Sequence, residues 1–396
     1  MITETNIIIG SPMNKSSTSI LLTICCLLSG IAFSFSASAA SGDRLERPSL
    51  ALHARTDLAV ASNVLLLDIA LAGSRLVAVG EQGAVLLSDD AGYSWRQASV
   101  PSSVLLTAVN FVDDQNGWAV GHDGVVLRSE DGGENWHLQL DGEGINQNRI
   151  ATLEQALAGL DQSSENEGTD RETLEYALED AQFAAEDGAS TPLLDVWFAS
   201  RDLGYIAGAY GMLLQTRDGG QSWQSMDHLI PNPDRFHLNA IQATTDGSLF
   251  LAGEAGLLIK SDTQHTAWQV IESPYEGSFF AMQESKGLYL MGLRGHLFRS
   301  DAGTRWNPIK VSTTSSINAA VTDSHGQLIL LGQGGLLLQQ QDTAFVPLAA
   351  STRTSFSSGV VLGQQLILVG EAGVTRVPLD ANETQATVPS DQGGRS

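Results

Sequence analysis

The 396-residue chain predicts an all-β fold, a seven-bladed β-propeller with a helical hairpin inserted between blades two and three. Three observations predict it. A Gly-x-x-Gly pair recurs seven times, at Gly80/Gly83, Gly121/Gly124, Gly208/Gly211, Gly253/Gly256, Gly292/Gly295, Gly332/Gly335 and Gly370/Gly373. Successive first glycines lie 41, 87, 45, 39, 40 and 38 residues apart, close to the length of a four-stranded blade, with one step about two units long. A second turn pattern, ending in tryptophan, follows the glycine pair in the early repeats.

Within the first repeat, Leu66 to Leu71, Arg75 to Gly80, Ala84 to Ser88 and Ser94 to Ala98 are short strand-like runs separated by turn residues. The same order restarts at Leu105, Leu193, Leu238, Phe279, Ile317 and Phe356. The Gly-x-x-Gly spacing predicts a type I turn followed by a left-handed residue, the place of Gly83 and its equivalents. The first glycine of each pair is expected to let neighbouring blades approach closely.

The turn between third and fourth strands reads Ser-x-Asp-x-Gly-x-x-Trp at Ser88 to Trp95 and Ser129 to Trp136, and with threonine leading at Thr216 to Trp223. Later copies decay. Ser261 to Trp268 lacks the aspartate and glycine of the pattern, and Ser300 to Trp306 is one residue short. This is the Asp-box, also found in sialidases, whose aspartate can fold back onto the turn backbone while the tryptophan packs behind it. Five of the seven tryptophans serve these turns, which makes them packing residues before sugar platforms.

The double-length step falls at Ile145 to Ser190. Asn148 to Leu160 carries Ile150, Leu153, Leu157 and Leu160 at helical spacing, and Asp170 to Ala185 carries Leu174, Ala177, Leu178 and Ala181, with a polar break between and Asp170 as N-cap. Two such stripes predict a helical hairpin, packed on itself or on the propeller. The seventh repeat lacks a fourth strand, and Pro48 to Arg55 is expected to supply it and close the ring.

The chain divides into 1–40, read as an export signal; 41–140, the N-terminal segment and blades one and two; 141–190, the acidic hairpin; 191–380, blades three to seven; and 381–396, a polar tail expected to be disordered. The signal rests on Lys15 before the apolar run Ile20 to Phe35 and on Ala37 to Ala40 as small cleavage-site residues, with Met13 as an alternative start. No paired arginines precede the run, so the general secretory route and the periplasm are expected. Both cysteines, Cys25 and Cys26, lie in that run, which leaves the mature chain without a disulfide, thiolate site or cysteine nucleophile.

Net charge is -24. Such acidity excludes nucleic acid as a natural partner, because phosphate repulsion would have to be overcome. Nearly half of it sits in one place: residues 141–190 hold thirteen acids against Arg149 and Arg171. The eight histidines contain no His-x-x-x-His pair, and no acidic loop has calcium-binding spacing, so no metal or other cofactor is expected.

The insertion leaves after a fourth strand and returns at a first strand, which places it on the face of the Gly-x-x-Gly turns, opposite the Asp-boxes. The residues between those glycines are therefore the candidate partner-binding set: Glu81, His122, Asp123, Tyr210, Glu254, Arg294 and Glu371. Solvated turns are the plain alternative.

Leu66-Leu67-Asp68-Ile69-Ala70, Leu193 to Phe198, Asn116 to Gly121 and Asp131 to Trp136 resemble the photosystem II stability/assembly factor family. The resemblance spans roughly 65–379 and is strongest in blades one to three. It implies an exported seven-bladed propeller, not membrane-spanning and monomeric, that helps assemble a membrane-protein complex without catalysis. The acidic insertion resembles relatives from non-photosynthetic proteobacteria that are associated with resistance-nodulation-division transporters. In photosynthetic members an arginine-rich patch is linked to binding; here Arg128, Lys260 and Arg299 share one blade position, but Leu87, Gln215, Gln339 and Val377 interrupt the series.

The rival class is a sialidase-like glycoside hydrolase, or a carbohydrate-binding Asp-box propeller. Such an enzyme needs three arginines on a carboxylate, a tyrosine nucleophile and an acid. The sequence has no Arg-Ile-Pro segment, and most of its arginines fall on Asp-box strands.

Overall fold

A strand that is apolar on both faces must be covered on both, and the second strand of every repeat is such a strand: Leu76 to Val79, Trp118 to Val120 and Leu249 to Ala252 are all buried. The computed structural model, which describes residues 64–162, 168–188, 190–348 and 353–379, shows how they are covered. All the described residues belong to one unit, 48–396.

Seven antiparallel meanders follow one another at residues 66–97, 106–140, 193–225, 238–270, 279–309, 317–347 and 356–378. Six have four strands and the seventh has three among the described residues. The first strand of each touches the first strands of both neighbours, and that of blade seven touches that of blade one, so the ring closes. The core is not one mass but seven layers, one at each junction between blades. At the junction of blades two and three, for example, Trp118 stacks on Phe198 with centroids 3.6 Å apart and planes 8° from parallel, and Trp223 meets Phe198 edge-on. The segment 48–55, expected to complete blade seven, lies outside the described residues, as do the stretch expected to be an export signal, both cysteines and the tail.

The glycine pairs work differently from the expectation. In six turns both the residue after the midpoint and the second glycine are left-handed: Gln82 has φ 55° and Gly83 φ 69°. With Ala84 N–H donating to Glu81 C=O, this is a type I′ turn, whose twist matches that of the strands it joins. Asp123, Tyr210, Ala255, Arg294 and Gly334 repeat the geometry. Only the seventh turn keeps the expected form, with Gly373 left-handed (φ 68°) after two ordinary residues.

The second glycine is left-handed as expected, but it also takes the close-approach role expected of the first. A Cβ on Gly80 would lie 2.1 Å from the carbonyl oxygen of Leu65, in its own blade; a Cβ on Gly83 would lie 2.0 Å from that of Ser102, in the connector to the next. The second glycine, not the first, admits the neighbouring chain segment. Gly80 faces a β-bulge at Leu66/Asp68, and a register shift at the same place recurs in the first strand of all seven blades.

The bulges turn polar side chains toward the next blade. Thr107 donates to Leu193 C=O at 2.7 Å, Asn239 to Phe279 C=O at 2.8 Å and Asn318 to Phe356 C=O at 2.9 Å. One residue on, Asp68 accepts from Val109 N–H at 2.9 Å, and Asp195 from Ile241 N–H at 2.7 Å. Both aspartates keep some contact with water yet are surrounded by protein. Burial raises both carboxyls, Asp195 to about 7 with Asp68 adding repulsion, although the backbone N–H bonds pull the other way.

The Asp-boxes hold their turns as expected. Asp90 accepts from the Ser88 and Ser94 hydroxyls and from Ser94 N–H, while Trp95 donates to Gly92 C=O. The copy at Ser261 to Trp268 keeps the function despite its lost pattern. Asp262, one place earlier, accepts from Thr266 N–H at 2.7 Å and from its hydroxyl at 2.8 Å.

The insertion forms two helices, α1 (Gly142–Gln162) and α2 (Gly168–Asp187), longer than the apolar stripes alone indicate. α2 begins two residues before Asp170. The helices pack on each other, and α1 also packs on the outermost strand of blade three, Gln224–Ser225. That strand is only two residues long, and Asn148 acts as its missing neighbour: Ser225 N–H donates to Asn148 Oδ1 at 3.0 Å, and Asn148 Nδ2 donates to Trp223 C=O.

Candidate functional site

The root of α1 lies against the Gly-x-x-Gly turn of blade two, where a Cβ on Gly124 would meet Gly142 Cα at 2.6 Å. The hairpin is thus on the expected face. It does not cover the ring of turns, however; it follows the outer edge of blade three. Between it and the connector from blade three to blade four lies a cavity of about 540 Å³.

Four segments build the cavity. α1 gives Arg149, and α2 gives Tyr176 and Asp180. The blade-three turn gives Tyr210, and the connector gives Asp227, His228 and Arg235, stiffened by Pro231 and Pro233. Arg149 is buried, at 6 % exposure, and donates to Asp227 at 2.7 Å, with Asp180 at 3.4 Å. Arg235 pairs with Asp180 and donates to Tyr210 C=O at 3.3 Å. Two cations and two carboxylates therefore join both helices to the propeller. Burial and the adjacent Arg149 bring Arg235 down to about 10, so it stays charged at neutral pH. Removing Arg149 alone would leave the half-buried Asp227 carboxylate with the Ser225 hydroxyl but without its cation, a loss of about 2–3 kcal/mol.

Tyr210 is left-handed, and its backbone is held from two sides. Its N–H donates to His237 Nδ1 at 3.1 Å and the two rings meet edge-on, while Arg235 takes its carbonyl. The ring itself is 41 % exposed. Tyr176 (64 %) stands on the facing helix. The cavity thus offers exposed aromatic faces beside charges fixed by pairing. Burial lowers the affinity of His228 for a proton, favouring its neutral form.

Of the seven residues proposed from the sequence, the cavity takes Tyr210. His122 and Asp123 lie beside the root of α1. Glu81, Glu254 and Glu371 act alike, for each carboxylate accepts the N–H just before its own first strand, from Leu65 (3.1 Å), His237 (3.4 Å) and Ser355 (3.1 Å). Arg294 is exposed on the blade-five turn, away from the cavity residues. The three bases of the interrupted series are used for packing: Arg128 lies over Trp118, Lys260 over Phe250 and Arg299 over Tyr289.

Sequence reasoning missed Arg149, Asp180, Asp227 and Arg235. One signal was available for Arg149, since a base among thirteen acids needs a reason to be there. The cavity contains two arginines, each paired with aspartate, where a sialidase would converge three on a substrate carboxylate. Among the described residues no three His, Cys, Asp or Glu side chains are placed to hold a metal ion, and no helix is long and apolar enough to cross a membrane.

A family model, photosynthesis system II assembly factor YCF48, matches residues 48–156 and 182–331. It leaves out 157–181, the part of the hairpin that carries Tyr176 and Asp180. Among solved structures, YCF48 bound to a D1 peptide is similar at TM-score 0.57 and 15 % identity, covering 80 % of this chain and 94 % of that one. YCF48 from Cyanidioschyzon merolae gives 0.55 and 15 %, covering 81 % and 97 %. The WD40 propeller domain of Doa1 gives 0.53 at 9 %, covering 80 % and 93 %. At these identities the structures speak for the propeller fold alone. No curated protein sequence matches the chain.

Proposed function

The chain belongs to the photosynthesis system II assembly factor YCF48 family, and from that premise we propose that it is an exported, non-catalytic accessory factor for a membrane-protein complex. It holds a polypeptide segment of one subunit in the cavity between the hairpin and blades three and four. The observation that carries this reading is the cavity itself: exposed aromatics beside guanidinium groups on a rigid frame suit a peptide better than a small metabolite. The relative solved with a D1 peptide bound supports a polypeptide ligand.

Periplasmic residence is supported by the apolar run and small-residue site at 20–40, and N-terminal sequencing of the mature protein tests it. A transporter of the resistance-nodulation-division type is the partner class we favour, on the resemblance of the acidic insertion. The decisive experiment replaces Tyr210 with a photo-crosslinking phenylalanine analogue in cells and identifies the adduct from detergent extracts. A crosslink to one membrane-protein subunit, lost when Arg235→Glu is added, is the expected result. No membrane-protein adduct, or an adduct indifferent to Arg235→Glu, would overturn the assignment of the cavity.

A further inference from the structure

Viewed down its axis at about 100° per residue, α2 has two opposite faces. Leu174, Ala177, Leu178 and Ala181 lie within one sector and are half-buried or buried, the last at 1 % exposure, toward α1. Centred on the opposite side is a stripe with two interleaved seven-residue spacings: Glu172, Glu179 and Glu186, and between them Tyr176 and Phe183. Both aromatic residues are 64 % exposed, and all three glutamates are exposed. Aromatic side chains of this size are a large apolar load to leave in water on an otherwise acidic helix.

We infer that this outer stripe of α2 docks a basic amphipathic helix of another protein, its apolar seam on Tyr176 and Phe183 and its lysines or arginines on the glutamate row. The seven-residue repeat is what a partner helix follows, and rows of glutamate flanking such a seam select a partner with lysine or arginine in facing rows. A second copy of this chain is disfavoured, because the stripe would bring glutamates against glutamates. An anionic lipid surface is disfavoured for the same reason, since interfacial helices carry lysine and arginine on their polar face. The stripe lies partly within the stretch that the family model leaves out, so it adds a contact to the cavity and does not replace it.

The test uses the mature chain and a fluorescein-labelled synthetic helix with leucine at its seam and lysine in the flanking rows, followed by anisotropy at low and high salt. Phe183 is the informative position, because Tyr176 also lines the cavity. Phe183→Ser is expected to weaken binding about tenfold, Glu179→Lys with Glu186→Lys to abolish it, and Arg294→Glu, on the exposed blade-five turn, to leave it unchanged. The same peptide with glutamate for lysine should not bind. Equal binding by Phe183→Ser, or by the glutamate peptide, would overturn the inference. So would a dimer abolished by Phe183→Ser in light scattering, or Phe183-dependent binding to phosphatidylglycerol-containing vesicles. Because Phe183 is exposed, its variant keeps the wild-type circular dichroism and melting temperature. The Tyr210 crosslink reports on the cavity alone, which keeps failure of one reading separate from failure of the other.

Discussion

Two sets of turns close the same blades from opposite faces, and they satisfy themselves by different means. An Asp-box uses its own side chains: Asp90 receives three bonds from Ser88 and Ser94, so little of the carboxylate is free for a ligand. A Gly-x-x-Gly turn uses backbone, with Glu81 N–H on Leu65 C=O and Gly83 N–H on Val104 C=O. Only some of its side chains share that duty, the carboxylates of Glu81, Glu254 and Glu371, while Tyr210 and Arg294 stand at turns where the backbone suffices. In this chain the Asp-box face is a fastening, and the cavity and the root of the hairpin occur at the other.

The strongest way to break this contrast is to place a Cβ where the backbone face has no room. Gly80→Ala puts a methyl 2.1 Å from a carbonyl oxygen, and a loss of about 3 kcal/mol or more in urea unfolding is expected. On the Asp-box side, Asp218→Ala removes bonds to Thr216 and Ser222, and about 1–2 kcal/mol should be lost, as for other side chains that cap a turn. A result as large as that for Gly80→Ala would show that the fastening is as intolerant as the backbone turn.

The pH response sharpens the contrast. Asp195 holds its proton up to about 7, whereas the unfolded carboxyl releases it near 4. Between those values the folded state binds more protons, so this contribution to stability falls as pH rises from about 4 to about 7. The Asp-box carboxylates act in the opposite sense. Asp90 is held down to about 2 by the Ser94 and Ser88 bonds, so its contribution is complete above about 4 and is lost as pH falls toward 2. Calorimetry between pH 5 and 8 should show a melting temperature that declines with pH, and Asp195→Asn should reduce that slope, leaving the part due to Asp68. An unchanged slope would refute the assignment.

The smallest expected effect is a gain. Ala255 is left-handed (φ 52°) at a turn midpoint, and Ala255→Gly should stabilise by about 0.5–1 kcal/mol, read from the urea midpoint.

The blade count was legible because spacing survives when residues drift. Turn handedness was not: type I with a trailing glycine and type I′ place glycine at the same distance, and only the backbone angles at Gln82 or Tyr210 separate them. Asp262 shows the converse, a hydrogen-bonding role that outlived its motif. The cavity was legible at Tyr210 and at no paired charge, because Asp180 and Arg235 meet across two helical turns and a whole blade with no local pattern connecting them.

The bulged first strands have a consequence for motion. Thr107, Asn239 and Asn318, with Asp68 and Asp195, tie blades one to two, two to three, three to four, four to five and six to seven. Blade five carries Phe280 and Ala281 at the two corresponding places, and neither has a polar group to reach blade six. The five-to-six junction lacks these first-strand ties and is held by its apolar layer and by Ser285, whose hydroxyl donates to Gly326 C=O at 2.9 Å. Amide hydrogens of the first strand of blade six are accordingly expected to exchange sooner than those of the tied first strands, which hydrogen exchange read by mass spectrometry checks.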